Sequence, residues 1–223
     1  MTRTKLADRR LPDYTKGEEI FNMVSHIVGG ALGIAALVLC VVFSAIKGDP
    51  WAVVSCSVYG TSLVFMYSVS SVYHGLSTNT SKKVMQIIDH CMIYFLIGGT
   101  YTPIVMCSVR QVSPGWAWTL FGLVWGCAAT AAVFTAIDLK KYAALSMACY
   151  IGMGWCVIIA IKPMFDAMPI PGLLWLLAGG IAYTVGAVIY GLGRRHRYMH
   201  SIFHLFVVLG SVLQFFCIFF YVI

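Results

Sequence analysis

MHSIFHLFVVLGSVLQFFCIFFYVI, residues 199–223, decides the fold. These 25 residues contain no Lys, Arg, Asp or Glu. A helix crosses a bilayer in about 20 predominantly apolar residues. This stretch is apolar all round rather than along one stripe, as a segment solvated by lipid must be. Its two histidines, His200 and His204, fall within its first two turns. A lipid-spanning helix with two imidazoles at one end sets both questions for the remaining chain: how many such spans there are, and what meets the histidines.

Working back through the 223 residues, six more apolar runs appear, giving spans at about 21–46, 51–73, 86–108, 116–137, 142–161, 172–193 and 199–223. The breaks are rich in Gly, Pro and charge, as turns are: Lys47–Pro50, Ser77–Lys83, Arg110–Gly115, Asp138–Lys141, Lys162–Gly172 and Gly193–Arg197. The composition agrees. The chain is 60% hydrophobic and only 10% charged, against about 45–50% apolar and about 25% charged in a soluble domain. Such a surplus cannot be buried in one soluble core and excludes a disordered chain. Transmembrane β-strands are short and alternating, so the expected fold is all-α, a seven-transmembrane helix bundle. Residues 1–17 form a polar segment and 18–223 the membrane domain.

The net charge of +7 reports topology. Arg3, Lys5, Arg9, Arg10, Lys16, Lys82, Lys83, Lys140, Lys141, Arg194, Arg195 and Arg197 fall on the side of the N-terminus; Lys47, Arg110 and Lys162 fall opposite. That asymmetry of 12 against 3 predicts a cytoplasmic N-terminus and, after seven crossings, an outside C-terminus. Basic residues beside helix ends are topology determinants that also meet anionic headgroups, and no run is long enough to point to nucleic acid. The polar first twenty residues predict that no cleavable signal peptide is present. The eight cysteines include no CxxC pair and sit almost entirely in apolar spans, where Cys behaves as a small hydrophobe.

Ionisable groups inside membrane helices are costly and mark functional candidates. With alternating spans, His74 lies at the end of span two, Asp89 at the start of span three, and His200 and His204 at the start of span seven, all near the face of the N-terminus. Two His at i and i+4 share a helix face and can bind one metal ion. With His74 they make three imidazole ligands, the donor set of a catalytic Zn²⁺ site with an open fourth position. Zinc acidifies water; Asp89 could then serve as base, water orienter or partner of a His. Ser70, four residues before His74, could donate a hydrogen bond to a developing oxyanion. The bland reading stands beside this one, since a lone HxxxH is a weak signal and imidazoles are common at helix ends. His90 lies about 100° from Asp89 around the helix and reads as packing or second-rank support. His26 reads as a satisfied interior His and His196 as a solvated loop residue. Glu18 and Glu19 suit the positive end of a helix dipole, and Asp138 belongs at the surface beside Lys140 and Lys141. Gly29 with Gly33 and Gly122 with Gly126 form GxxxG pairs, read as helix packing. Pro103 should kink span three. Trp51, Trp116, Trp155 and Trp175 fit an interfacial belt.

The assembled pattern resembles a known family. SxxxH closes span two (Ser70, His74), an Asp opens span three (Asp89) and HxxxH opens span seven (His200, His204). Together with NMVSHIVGG (22–30), SSVYHG (70–75) and GGTYTP (98–103), these residues look like the bacterial haemolysin III proteins, a branch of the progestin and adipoQ receptor family that includes the adiponectin receptors. The resemblance covers about residues 18–223, and no motif is missing. The N-terminal segment is shorter than that of the eukaryotic receptors. The resemblance implies a seven-helix bundle with a cytoplasmic N-terminus and a zinc ion held by the His residues that map to His74, His200 and His204. It also implies that the carboxylate mapping to Asp89 approaches the zinc through water, with Ser70 supporting it. Related alkaline ceramidases hydrolyse a lipid amide with a similar constellation; bacterial members have been linked to haemolysis, membrane-lipid homeostasis and hydrolysis. The expected location is the bacterial inner (plasma) membrane.

Three functions follow as expectations. The first is a zinc-dependent hydrolase of an amide or ester bond in a membrane lipid. The second is a non-enzymatic receptor or membrane-state sensor with a structural zinc. The third is a transporter or pore-forming cytolysin, which calls for ionisable groups near the midplane rather than at one face. A retinal pump is excluded because span seven has no Lys. Substrate identity and oligomeric state are not legible in the sequence.

Overall fold

A computed structural model describes residues 4–193 and 196–223; Arg3, Arg194 and Arg195, counted in the charge asymmetry, lie outside them. The described residues form an all-helical bundle with seven helices long and apolar enough to span a bilayer. They are α1 (Lys16–Ile46), α2 (Pro50–Gly75), α3 (Thr80–Val112), α4 (Pro114–Ile137), α5 (Ala143–Ala167), α6 (Ile170–Leu192) and α7 (Met199–Tyr221). The large apolar side chains that remain exposed, among them Ile27, Val54, Phe65, Val133, Leu174 and Phe220, form the surface that lipid must cover.

The ends follow from local chemistry. Thr15 caps α1 with a full capping box: its Oγ1 accepts from the Glu18 amide, and the Thr15 amide donates back to the Glu18 carboxylate. Asp49 and Asn79 cap α2 and α3 by accepting from amides of their first turns. Pro50 and Pro114 sit at the start of their helices, where a missing N–H costs nothing.

Two helices are irregular. Pro103 is followed by a π-helical turn over Ile104–Val109, the kind of local rewinding that accommodates a proline's lost hydrogen bond. α5 passes through a 3₁₀ segment, Cys156–Ala160, and restarts as α-helix at Ile161. The expected loop beginning at Lys162 is therefore helical as far as Ala167. Pro163 did not end the helix because it falls in the first turn of the restarted segment, where its ring is tolerated.

α1 packs along α2, and the first GxxxG pair mediates this. A methyl group at Gly29 would stand 2.6 Å from the Tyr67 ring, and one at Gly33 would meet Leu63 at 3.2 Å. The second pair does not act this way: no described residue lies within 4 Å of a methyl group placed at Gly122 or Gly126, and both glycines are exposed. Gly29→Ala should therefore lower the thermal midpoint of the detergent-solubilised protein by the equivalent of about 1–3 kcal/mol of overpacking, whereas Gly122→Ala should leave it unchanged or raise it slightly through helix propensity. Equal midpoints for the two variants would contradict this packing.

Candidate metal centre

α1, α2 and α7 converge near the end of the bundle where α1 and α7 both begin, and the tie that aligns them is Glu18. Its carboxylate accepts from the Tyr198 backbone N–H at 2.6 Å and lies 3.4 Å from the Arg197 guanidinium. Tyr198 has φ +62°, the left-handed region that non-glycine residues seldom adopt. The charge-assisted bond from its N–H to Glu18 offsets that strain and fixes where α7 starts, hence where His200 and His204 stand.

The three histidines singled out from the sequence meet. His200 Nε2 lies 3.0 Å from His204 Nε2 and 3.4 Å from His74 Nε2. One ligand atom from each lies within 4.8 Å of the others, a group able to hold a metal ion. His74 is oriented by Glu19, whose Oε2 stands 2.6 Å from His74 Nδ1. A carboxylate only accepts, so Nδ1 carries the proton and the lone pair of Nε2 faces the other two imidazoles. The other oxygen of Glu19 pairs with the Lys82 ammonium at 2.7 Å, and Lys82 also donates to the Leu76 carbonyl. Glu19 thus links α1 to the end of α2 and the start of α3.

Several readings of the sequence need correction. Glu18 and Glu19 are not simply dipole-compensating charges. Adjacent residues point about 100° apart on a helix, so one reaches α7 and the other reaches His74. His26 is interior, 1% exposed and stacked on His204 with ring centroids 3.7 Å apart, but it is not satisfied by the described residues, none of which pairs with either ring nitrogen. Asp138 is not a freely solvated surface residue. It is covered, accepting from the Thr4 amide at 2.8 Å and the Lys141 amide at 3.1 Å. His196 is exposed, as expected.

Asp89 and Ser70 are both buried. Ser70 lies one turn before His74. Asp89 Oδ2 lies 3.5 Å from His90 Nδ1, which also lies 2.8 Å from the Gln86 carbonyl. Asp89 is within electrostatic reach of Tyr14 and Tyr73, and these two phenols pack on the histidines. Tyr14 stacks on His200 at 5.0 Å with the rings 9° from parallel, and Tyr73 lies 4.5 Å from His74.

Tyr14 is a component that sequence reasoning missed. It belongs to the polar N-terminal segment, which is strapped across the end of the bundle. Thr4 bonds to Asp138, the Arg9 guanidinium to the Ile137 carbonyl, Lys83 to the Ala7 carbonyl and Arg197 to the Asp13 carbonyl. Burial raises the Tyr14 phenol well above its usual range, with the phenols of Tyr190 and Tyr73 and the carboxylates of Glu19 and Asp89 adding to the effect. No run of like residues marks this strap in the sequence.

A family profile described as haemolysin-III related matches residues 14–215. The chain belongs to the haemolysin-III-related family. It is 38% identical to Hemolysin-3 of Bacillus cereus over 214 residues, covering 96% of this chain and 95% of that protein. It is 37% identical to the Hemolysin-3 homolog of Bacillus subtilis (strain 168), covering 93% and 96%. A more distant match, 26% identical over 205 residues, is the human monocyte to macrophage differentiation factor, with 89% of this chain and 79% of that protein covered. Seven apolar helices and the haemolysin III membership make this chain a multi-pass integral membrane protein.

Two outcomes follow from the geometry. Glu19→Gln should lower metal affinity about 10–100-fold, the usual cost of losing a carboxylate that orients a ligating His, as measured by competition with a chromogenic chelator. Unchanged affinity would show that Glu19 does not set His74. The Asp138 carboxyl is held down to about 2, chiefly by the Thr4 N–H with help from the Lys141 N–H and Arg9. A depressed carboxyl contributes stability that is present above its unfolded pKa, about 3.9, and lost as pH falls through about 2. Hydrogen exchange of residues 4–9 should therefore stay slow from pH 7 down to about pH 4, whereas Asp138→Asn should speed it throughout that range. A loss of protection between pH 7 and 5 in the wild type would contradict this anchoring.

Proposed function

We propose that this haemolysin III protein is a zinc-dependent hydrolase of an amide or ester bond in a membrane lipid, placed in the plasma membrane with its N-terminus in the cytoplasm and serving membrane-lipid homeostasis. The observation that carries the reading is the convergence of three Nε2 atoms. Zinc binds His nitrogen at about 2.0–2.1 Å with tetrahedral geometry, which separates neighbouring ligand nitrogens by about 3.3 Å. The separations of 3.0 and 3.4 Å bracket that value, so the donor set fits the ion. Among the described residues the Nδ1 atom of His200 is buried without a partner, so that imidazole is not committed to another hydrogen bond through its far nitrogen, while the His204 ring has the Asn22 backbone beside it.

His74, His200 and His204 would hold the ion, with Glu19 fixing the tautomer of His74. When bound, zinc supplies Lewis acidity and brings the pKa of water to about 7. Asp89 is the base in this reading: its carboxylate takes a proton from the attacking water and returns it to the leaving amine or alkoxide. Ser70 donates a hydrogen bond to the carbonyl oxygen, whose negative charge grows as water adds to the carbonyl carbon and falls again as the amine or alkoxide leaves. Tyr14 and the strap cover the site on the N-terminal side, which directs a lipid to enter sideways between helices. The apolar groove formed by α1, α2 and α7 beyond Gly29, Tyr67 and Ser211 suits an acyl chain in that approach.

Metal analysis by mass spectrometry should find about one zinc per wild-type chain purified without chelators and none in His200→Ala. Reconstituted wild type should cleave a lipid amide or ester, and Asp89→Asn should retain zinc while losing roughly 10²–10⁴-fold in kcat. Absence of metal in the wild type, or cleavage that survives loss of all three His, would overturn the proposal.

A further inference from the structure

Outside the ligand set, the densest group of unexplained polar atoms is on α1. Asn22 and His26 are four residues apart on one face, at 0% and 1% exposure. Among the described residues, both side-chain atoms of the Asn22 amide and both ring nitrogens of His26 lack a hydrogen-bond partner. Leaving a buried polar group unpaired is costly, and here four such atoms sit on successive turns. His26 is held between the His204 ring, 3.7 Å away and nearly parallel, and the edge of Tyr67 at 5.1 Å. The pair therefore abuts the metal centre from the α1 side. The neighbouring carboxylate, Glu19, is committed to His74 and Lys82.

We infer that Asn22 and His26 form a hydrogen-bonding subsite of this centre that takes an uncharged group of a bilayer lipid able both to donate and to accept, such as a hydroxyl or a secondary amide. Two features select this ligand. The first is the hydrogen-bond inventory: an amide side chain and a neutral imidazole together present donors and acceptors. An anion would pair only with the donors and a cation only with the acceptors, leaving the remaining buried atoms orphaned. The second is depth. α1 begins at Lys16, so Asn22 and His26 lie about 9 and 15 Å along its axis at 1.5 Å per residue. The interfacial layer on each side of the hydrocarbon is about 5–8 Å thick. With Lys16 at the outer edge of that layer, Asn22 falls just past the interfacial boundary and His26 deeper, below the phosphates and next to the acyl linkages and first methylenes of a lipid. The identity of the lipid as substrate rests on the hydrolase reading; the binding itself does not.

The test uses the full chain carrying Asp89→Asn, so that a probe is not consumed, in detergent micelles. The probes are N-oleoylethanolamine and its analogue methylated on both the amide nitrogen and the hydroxyl, which accepts but cannot donate. Affinity is read from ligand-induced shifts of the thermal midpoint. The chain with Asn22 and His26 intact should bind the parent lipid about tenfold more tightly than the methylated analogue, the worth of one to two hydrogen bonds. Adding Asn22→Leu or His26→Phe should erase that preference while leaving the unliganded midpoint equal or higher, because an apolar side chain of similar size removes an unsatisfied group. His26→Gln, which keeps a donor and an acceptor, should retain part of the preference. Equal binding of both probes by the chain with the pair intact, full preference in the Leu and Phe variants, or a fall of several degrees in their unliganded midpoints would overturn the inference; that fall would show the pair to be satisfied inside the protein. Zinc content, measured on the same samples, judges the hydrolase reading separately: a metal-free protein that still prefers the parent lipid contradicts the catalysis and keeps the subsite.

Discussion

Glu19 is the contact on which the site depends. Its carboxylate accepts from His74 Nδ1 at 2.6 Å and pairs with Lys82 at 2.7 Å, joining three helices around one side chain. A charge near the end of a membrane helix is retained only when it is paired and hydrogen-bonded, and both Glu19 oxygens meet a strong donor. The cost of holding this half-buried carboxylate partly out of water is offset by its two donors, and it organises the tautomer of His74 and with it the direction of the Nε2 lone pair. Removing it would leave the Lys82 ammonium, itself buried, short of a counter-charge.

Glu18, the neighbouring residue, performs the complementary task on α7. Its bond to the Tyr198 amide sets the first turn of that helix, and the i, i+4 spacing then carries His200 and His204 to one face. Two consecutive glutamates, about 100° apart around the helix, thus align the two helices that supply all three imidazoles. The N-terminal strap adds a third constraint through Tyr14, whose ring lies parallel to His200. The site is assembled at one end of the bundle, while the opposite half is held by apolar and aromatic packing such as Phe43 against Phe219.

The seven spans were legible because lipid demands long apolar runs, and no soluble core can absorb 60% hydrophobic residues. The three histidines were legible because helix spacing and alternating direction place them at one depth without knowledge of packing. What escaped the sequence depended on rotation about a helix axis. Glu18 and Glu19 had a sufficient local explanation in the helix dipole, and nothing local says that one faces α7 and the other His74. The same limit applies to the glycines: Gly29 and Gly122 sit in identical motifs, yet one meets Tyr67 and the other meets no neighbour. Pro163 looked like a helix end because the 3₁₀ interruption that resets the helix before it has no composition of its own. His26 was rightly placed inside, but only the packing reveals that its nitrogens have no partner among the described residues.

X-ray absorption spectroscopy at the zinc edge reads directly the shell in which three imidazoles would share one ion. For the purified protein it should show imidazole scattering from three nitrogens at about 2.0–2.1 Å, with any remaining neighbour a light oxygen-type atom and no sulfur. The imidazole component should fall to two in His74→Ala. A sulfur shell at about 2.3 Å, or a spectrum unaltered by loss of His74, would contradict that arrangement.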